Sequence, residues 1–205
     1  KRLFPKLPIK KLSSTPHILV AGCGTGRHAL RTAIRIEGAS VTALDLSRRS
    51  LAYGKLRATE LQIKNIRFMQ ADILRIPDTF DQFDLIECCG VLHHMADPEK
   101  GWAKLTSLLK PGGLMKIALY SEVARKDVVA TRTLLNMAPD TISLDEIRAA
   151  REKLLALPND HEAAAVTREL DFYSLSGCRD FLFHRQEHRF TLDRIKLALD
   201  KLGLE

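Results

Sequence analysis

Cysteine is scarce: the 205 residues hold four, Cys23, Cys88, Cys89 and Cys178. Two are adjacent and no C-x-x-C pair occurs, so neither a disulfide framework nor a zinc-type spacing is written into the chain. A reducing, cytoplasmic setting is the simplest expectation, and no metal is expected. Long apolar runs are missing too. No stretch approaches the roughly 20 residues of a membrane span, and no signal-peptide pattern opens the sequence. Internal repeats and low-complexity tracts are also absent. The chain starts at Lys1 rather than a methionine, which leads us to expect a piece of something longer.

What is present fits a soluble globular chain: 45% hydrophobic and 28% charged residues, with enough length for one domain and a subdomain. The formal charge of +7 raises the question of nucleic acid. Lys1, Arg2, Lys6, Lys10 and Lys11 crowd the first eleven residues among prolines, so 1–15 read as a basic linker or arm. Elsewhere the positive charges are dispersed along helical faces, where solvation accounts for them. That scatter argues against nucleic acid as the partner.

From residue 16 to 121 apolar strands alternate with amphipathic helices. "HILVAG", "SVTALDLS", "IRFMQADI", "FDLIECCG" and "LMKIALYS" read as strands. The helices between them include one capped by Ser47 and one stopped by Pro111-Gly112-Gly113. This alternation predicts an α/β fold, a doubly wound parallel sheet with ligands at the carboxyl ends of its strands. After Ser121 the pattern becomes helical. "SLDEIRAAREKLLAL", capped by Ser143, and "HEAAAVTREL" read as helices of an insert over 122–190. Residues 191–205 read as a final helix returning to the core.

The unusual residues gather at the strand ends. "AGCGTG" supplies Ala21, Gly22, Cys23, Gly24 and Gly26 in a G-x-G-x-G pattern. The dinucleotide fingerprint G-x-G-x-x-G wants a glycine where Arg27 stands, so a ligand without a pyrophosphate is favoured. S-adenosylmethionine is such a ligand. Asp45, followed by Leu46, ends the second strand, where a carboxylate can accept from both ribose hydroxyls. In "QADI", Asp72 can accept from an exocyclic amine, and the Ile73 amide, beyond Ala71, can donate to a ring nitrogen.

With these motifs in order, the sequence resembles the class I S-adenosylmethionine-dependent methyltransferases. "VAGCGTG" is similar to their first motif, "ALDLS" to their second, "QADI" to their third and "FDLIECCGVLHHMADP" to their fourth. "LLKPGGLMKIALYS" is similar to the strand that follows, and the resemblance spans about 16–121. It implies a Rossmann-like sheet, with the family's last two antiparallel strands apparently missing from this chain. It also implies S-adenosylmethionine as donor, S-adenosylhomocysteine as product, and cofactor contacts at the loop and acid positions above and at Cys89 and Gly90. "GVLHHMADP", "GLMKIALYSEVAR" and "DFYSLSGCRDFLFH" resemble a bacterial subgroup whose methyltransferase domain follows tetratricopeptide repeats.

The methyl acceptor is less legible. His93 and His94 are candidate general bases, against a structural reading in which they start a helix and line the cofactor pocket. Adjacent side chains diverge, so at most one faces the methyl. Cys88 and Cys89 face opposite sides of a strand and cannot jointly clamp zinc. The fourth motif lacks the Asn/Asp-Pro-Pro-Tyr/Phe signature of enzymes methylating exocyclic amines of bases and glutamine. Tyr120, Tyr173 and Arg179 are candidate acceptor contacts, the last two in a stretch that packs equally well as core. A small-molecule or protein acceptor is expected. The rivals are a non-catalytic cofactor-binding scaffold and an RNA methyltransferase using the basic arm.

Overall fold

The first strand, β1 (His17–Ala21), is apolar and buried from Ile18 to Ala21 because both of its faces are covered, the pattern of an interior parallel strand. A computed structural model of the chain describes residues 13–136 and 142–205, so the basic arm lies outside the described residues except at its end. β1 (His17–Ala21), α1 (Arg27–Arg35), β2 (Ser40–Asp45), α2 (Arg48–Glu60), β3 (Ile66–Gln70), β4 (Phe83–Cys89), α3 (Pro98–Ser107) and β5 (Leu109–Ala118) follow in order. The five strands form one parallel sheet in the order β3-β2-β1-β4-β5. The winding direction reverses between β1 and β4. Sheets of this kind bind ligands at the carboxyl ends of the strands beside such a reversal.

Side-chain caps set the helix starts. Ser47 accepts from the Ser50 amide at 3.2 Å, and Asp97 from the Lys100 amide at 3.0 Å beside Pro98. Ile18 and Val20 pack with Ala29, Ala33, Val41, Ala43 and Leu51. One boundary differs from the expectation. The helix does not run to Pro111-Gly112-Gly113 but ends at Ser107, and β5 carries these residues as an irregularity. Phe83 pairs with Leu109 and Leu85 with Leu114, so β5 advances five positions where β4 advances two. An edge strand tolerates this, because a proline there removes no ladder hydrogen bond.

The chain divides into two compact units: residues up to 119 without 93–96, and residues 93–96 with 120–205. The second unit holds α4 (Lys126–Leu135), α5 (Leu144–Leu155), α6 (Leu175–Leu182) and α7 (Leu192–Leu202), with 3-10 segments between α5 and α6. Ser143 and Glu146 close α5 with a reciprocal capping box. Val128, Ile147, Leu154, Phe172, Cys178 and Leu182 form the core. The stretch expected as a helix over 161–170 is instead 3-10 over Glu162–Arg168. Small side chains bring it close to α4, and the Ala163 carbonyl accepts from the Thr131 hydroxyl at 3.2 Å. After β5, the described residues add only a single parallel bridge, Ser121 to Phe190.

Candidate functional site: a glycine cradle at the strand ends

The loop leaving β1 is pinned by backbone geometry. Gly22 has φ +70°, and a Cβ there would meet Val91 Cγ2 at 2.1 Å. No side chain fits. The Gly22 and Cys23 amides both donate to the Leu44 carbonyl, at 2.8 and 2.9 Å. One step on, the Gly24 amide donates to Asp45 Oδ2 at 2.7 Å, while Asp45 Oδ1 accepts from the Ser47 amide at 2.8 Å. A strand-end carboxylate thus clasps the loop and still keeps lone pairs on both oxygens. Gly24 and Gly90 both have positive φ, and apart from their own chain neighbours no described atom lies within 4 Å of where either Cβ would be.

The other expected positions line up beside this clasp. The Ala71 amide donates to the Asp45 carbonyl at 3.2 Å, drawing the end of β3 to the end of β2. Asp72 Oδ1 accepts from the Leu74 amide at 3.0 Å, Ile73 is buried, and the Leu46 side chain is 67% exposed. Burial, then the charge of Asp45, pushes the Cys23 thiol up to about 12; burial does the same to Cys88. Cys88 is buried and Cys89 half-buried, and burial raises the Cys89 pKa as well. Thiols held protonated are poor nucleophiles and poor metal ligands. Among the described residues no group of three His, Cys, Asp or Glu could hold a metal.

These residues fit S-adenosylmethionine. Asp45 offers the carboxylate a ribose diol needs, and Gly24 and Gly90 leave room for an amino-acid tail against the backbone.

The candidate bases lie in the second unit. Tyr120 is stacked on His93, with ring centroids 3.8 Å apart, and lies 4.2 Å from the Arg125 guanidinium. His94 Nδ1 is 2.8 Å from the Gln186 carbonyl, which can only accept, so Nδ1 carries the proton and neutral Nε2 a lone pair. Burial lowers the His94 pKa, opposed by that hydrogen bond. His94 also stacks on His184 at 3.6 Å, and the His188 amide donates to the His93 carbonyl at 2.7 Å.

Arg125 and Arg132 converge on Glu187, whose side chain is 2% exposed. Both arginines also donate to the last carbonyls of α6: Arg125 to Phe181 at 2.9 Å, Arg132 to Leu182 at 2.6 Å. This trio escaped sequence reasoning. "HRQEHRF" looks like any solvated charge run.

Tyr173 and Arg179 are placed differently. Tyr173 is 57% exposed and edge-on to Phe172, and its carbonyl accepts from Arg151 at 3.3 Å. Arg179 donates to the Ile142 carbonyl at 3.1 Å. Around them Phe172, Cys178, Leu182 and Phe183 are core, so most of this aromatic stretch serves packing.

A family model described as a methyltransferase domain matches residues 18–113. The uncharacterized protein syc1184_c of Synechococcus sp. is 31% identical over 198 residues, covering 92% of this chain and 47% of that protein. The ubiquinone biosynthesis O-methyltransferase of Coxiella burnetii is 35% identical over 129 residues, covering 60% of this chain and 53% of that protein. Among solved structures, PKMT2 from Rickettsia typhi in complex with AdoHcy has a TM-score of 0.74 at 21% identity. That match covers 93% of this chain and 39% of that one. The chain spans about half the length of the curated relatives it matches.

Proposed function

We propose that this chain, whose residues 18–113 form a methyltransferase domain of the class I, S-adenosylmethionine-dependent type, methylates a small-molecule or protein acceptor. One observation carries the reading. The Gly24 amide is clasped by Asp45 at 2.7 Å, and the space where a Gly24 or Gly90 side chain would stand is open. Bound there, the sulfonium of S-adenosylmethionine supplies a methyl carbon that is already electrophilic and leaves S-adenosylhomocysteine. The chain's own residues then have three tasks: to hold the donor, to align it and to remove any acceptor proton. Asp45 holds the ribose, the Gly22–Gly26 backbone the amino-acid end, and Asp72 with Ile73 the adenine edge. For a hydroxyl acceptor, the class named by the O-methyltransferase relatives, His94 Nε2 is the proposed base.

The four free thiols suit a reducing cytoplasm, and we place the chain in a bacterial protein that also carries tetratricopeptide repeats. Among the described residues no helix is long and apolar enough to cross a membrane.

Titration calorimetry of the intact protein with S-adenosylmethionine and S-adenosylhomocysteine tests the donor. Asp45→Ala removes both the ribose acceptor and the loop clasp, and should weaken binding at least about tenfold. No binding by the unaltered protein would end this reading. Transfer of a labelled methyl group into a cell extract then sizes the acceptor; binding without any transfer would instead indicate a scaffold.

A further inference from the structure

Glu87 lies in the middle of the sheet, on β4, and is only 6% exposed. In register it sits beside Val20 of β1, just before the Ala21-Gly22 turn, and beside Lys116 of β5. Its Oε2 accepts from the Thr32 hydroxyl at 2.6 Å and lies 3.1 Å from His28 Nε2; Oε1 is 3.3 Å from Lys116 Nζ. His28 and Thr32 are four apart on α1 and therefore share one face. The carboxylate is hydrogen-bonded to the second turn of the helix that the glycine loop enters, and it lies beside the first turn at His28, whose Nε2 makes no hydrogen bond among the described residues.

That helix lacks the usual anchors at its start. Its N-cap is Gly26, with no side-chain cap, and no acidic residue occupies the first turn, which opens with Arg27 and His28. Basic side chains oppose the positive end of a helix dipole. Glu87 brings a buried carboxylate to within 3.1 Å of His28 at that end, at a desolvation cost an apolar residue would not incur. Two residues further along the same strand face stands Cys89, followed by Gly90 at the open side of the cradle.

We infer that Glu87 is a positioning residue for donor binding, holding α1 and the glycine loop before it through its hydrogen bond with Thr32. The inference rests on the proposed donor site but concerns a residue that need not touch the donor. Replacing the carboxylate by a similar-sized apolar side chain frees α1 and the loop without opening a void.

Glu87→Met should fold with a midpoint of thermal unfolding equal to or above that of the unaltered protein. It should nevertheless bind S-adenosylmethionine about tenfold more weakly, with little change in turnover at saturating donor. Thr32→Val should shift affinity the same way by a smaller factor, and the pair should be less than additive. Lys116→Met, on β5, should leave affinity within about twofold. Hydrogen exchange in the ligand-free protein reads the anchoring itself: amides of 22–31 should exchange faster in Glu87→Met and Thr32→Val but not in Lys116→Met. A folded Glu87→Met with unchanged affinity and exchange overturns the proposal, and so does an equal effect of Lys116→Met. Should the unaltered protein bind no donor, the proposed function fails, while exchange still decides whether Glu87 anchors the loop.

Discussion

The two units hold their key residues in place by different means. In the first, the buried Glu87 apart, acids at the edges of secondary structure take backbone amides: Asp45 from Gly24 and Ser47, Asp72 from Leu74, and Asp84 from His17 at 2.8 Å. In the second, side chains bind one another in the interior: Arg125 and Arg132 on Glu187, Tyr120 between His93 and Arg125, His94 on His184. A carboxylate facing backbone amides near the surface loses little when altered. A carboxylate shared by two buried guanidinium groups leaves uncompensated charge behind. Tolerance to substitution should therefore differ sharply between the units.

The largest effect should come from Glu187→Ala, which strands Arg125 and Arg132 and should cost about 3–5 kcal/mol of stability in chemical denaturation. Asp84→Ala, whose Lys110 partner is partly exposed, should cost about 1 kcal/mol or less. Equal losses would erase the contrast.

Next comes a place where the first unit tolerates no side chain. Gly22→Ala combines a strained positive φ with the Val91 clash and should cost about 1–3 kcal/mol while weakening donor binding. Val91→Ala in the same chain should return part of that loss. A Gly22→Ala protein with unaltered stability and affinity would show the loop to be far softer than its geometry implies.

The pH dependence is gentler and has two limbs. Cys23 and Cys88 have folded pKa values near 12 against 9.0 for a free thiol. The unfolded chain gives up these protons first, so their stabilisation is whole below pH 9 and is lost as pH rises toward 12. The slope reaches about 1.4 kcal/mol per pH unit per thiol, and Cys88→Ala should flatten it. In the second unit burial lowers the His94 pKa. Glu187 is held low too, because its bond to Arg125 and the charge of Arg132 outweigh burial. Their contributions are present above the unfolded values and lost as pH falls, for His94 below 6.5 and for Glu187 below 4.5. Denaturation followed across pH, with His94→Gln and Glu187→Gln as controls, checks both limbs.

Reading the cradle from sequence works because each of its parts is local. Glycines at two-residue spacing, an acid closing each of two strands and a Ser or Asp cap are read within a few residues of where they act. The β5 bulge defeats such a reading, since Pro111-Gly112-Gly113 stops a helix in one context and sits on a sheet edge in another. The 3-10 stretch at Glu162–Arg168 defeats it too, because its geometry depends on a hydroxyl from Thr131 more than thirty positions away. Arg179 and Tyr173 have the composition of a ligand contact, and only their neighbours show one of them tied to the Ile142 carbonyl.

By itself the sequence determined the alternation of strands and helices, the parallel sheet, the glycine loop and the acids beside it. Periodicity, capping and backbone conformation are settled by near neighbours. Only the tertiary structure decided that Glu87 lies under α1, that Glu187 unites Arg125 and Arg132, and that His94 keeps its Nε2 lone pair. Each depends on which distant groups share a buried space. There, a charge or a ring nitrogen takes its character from partners that no local pattern announces.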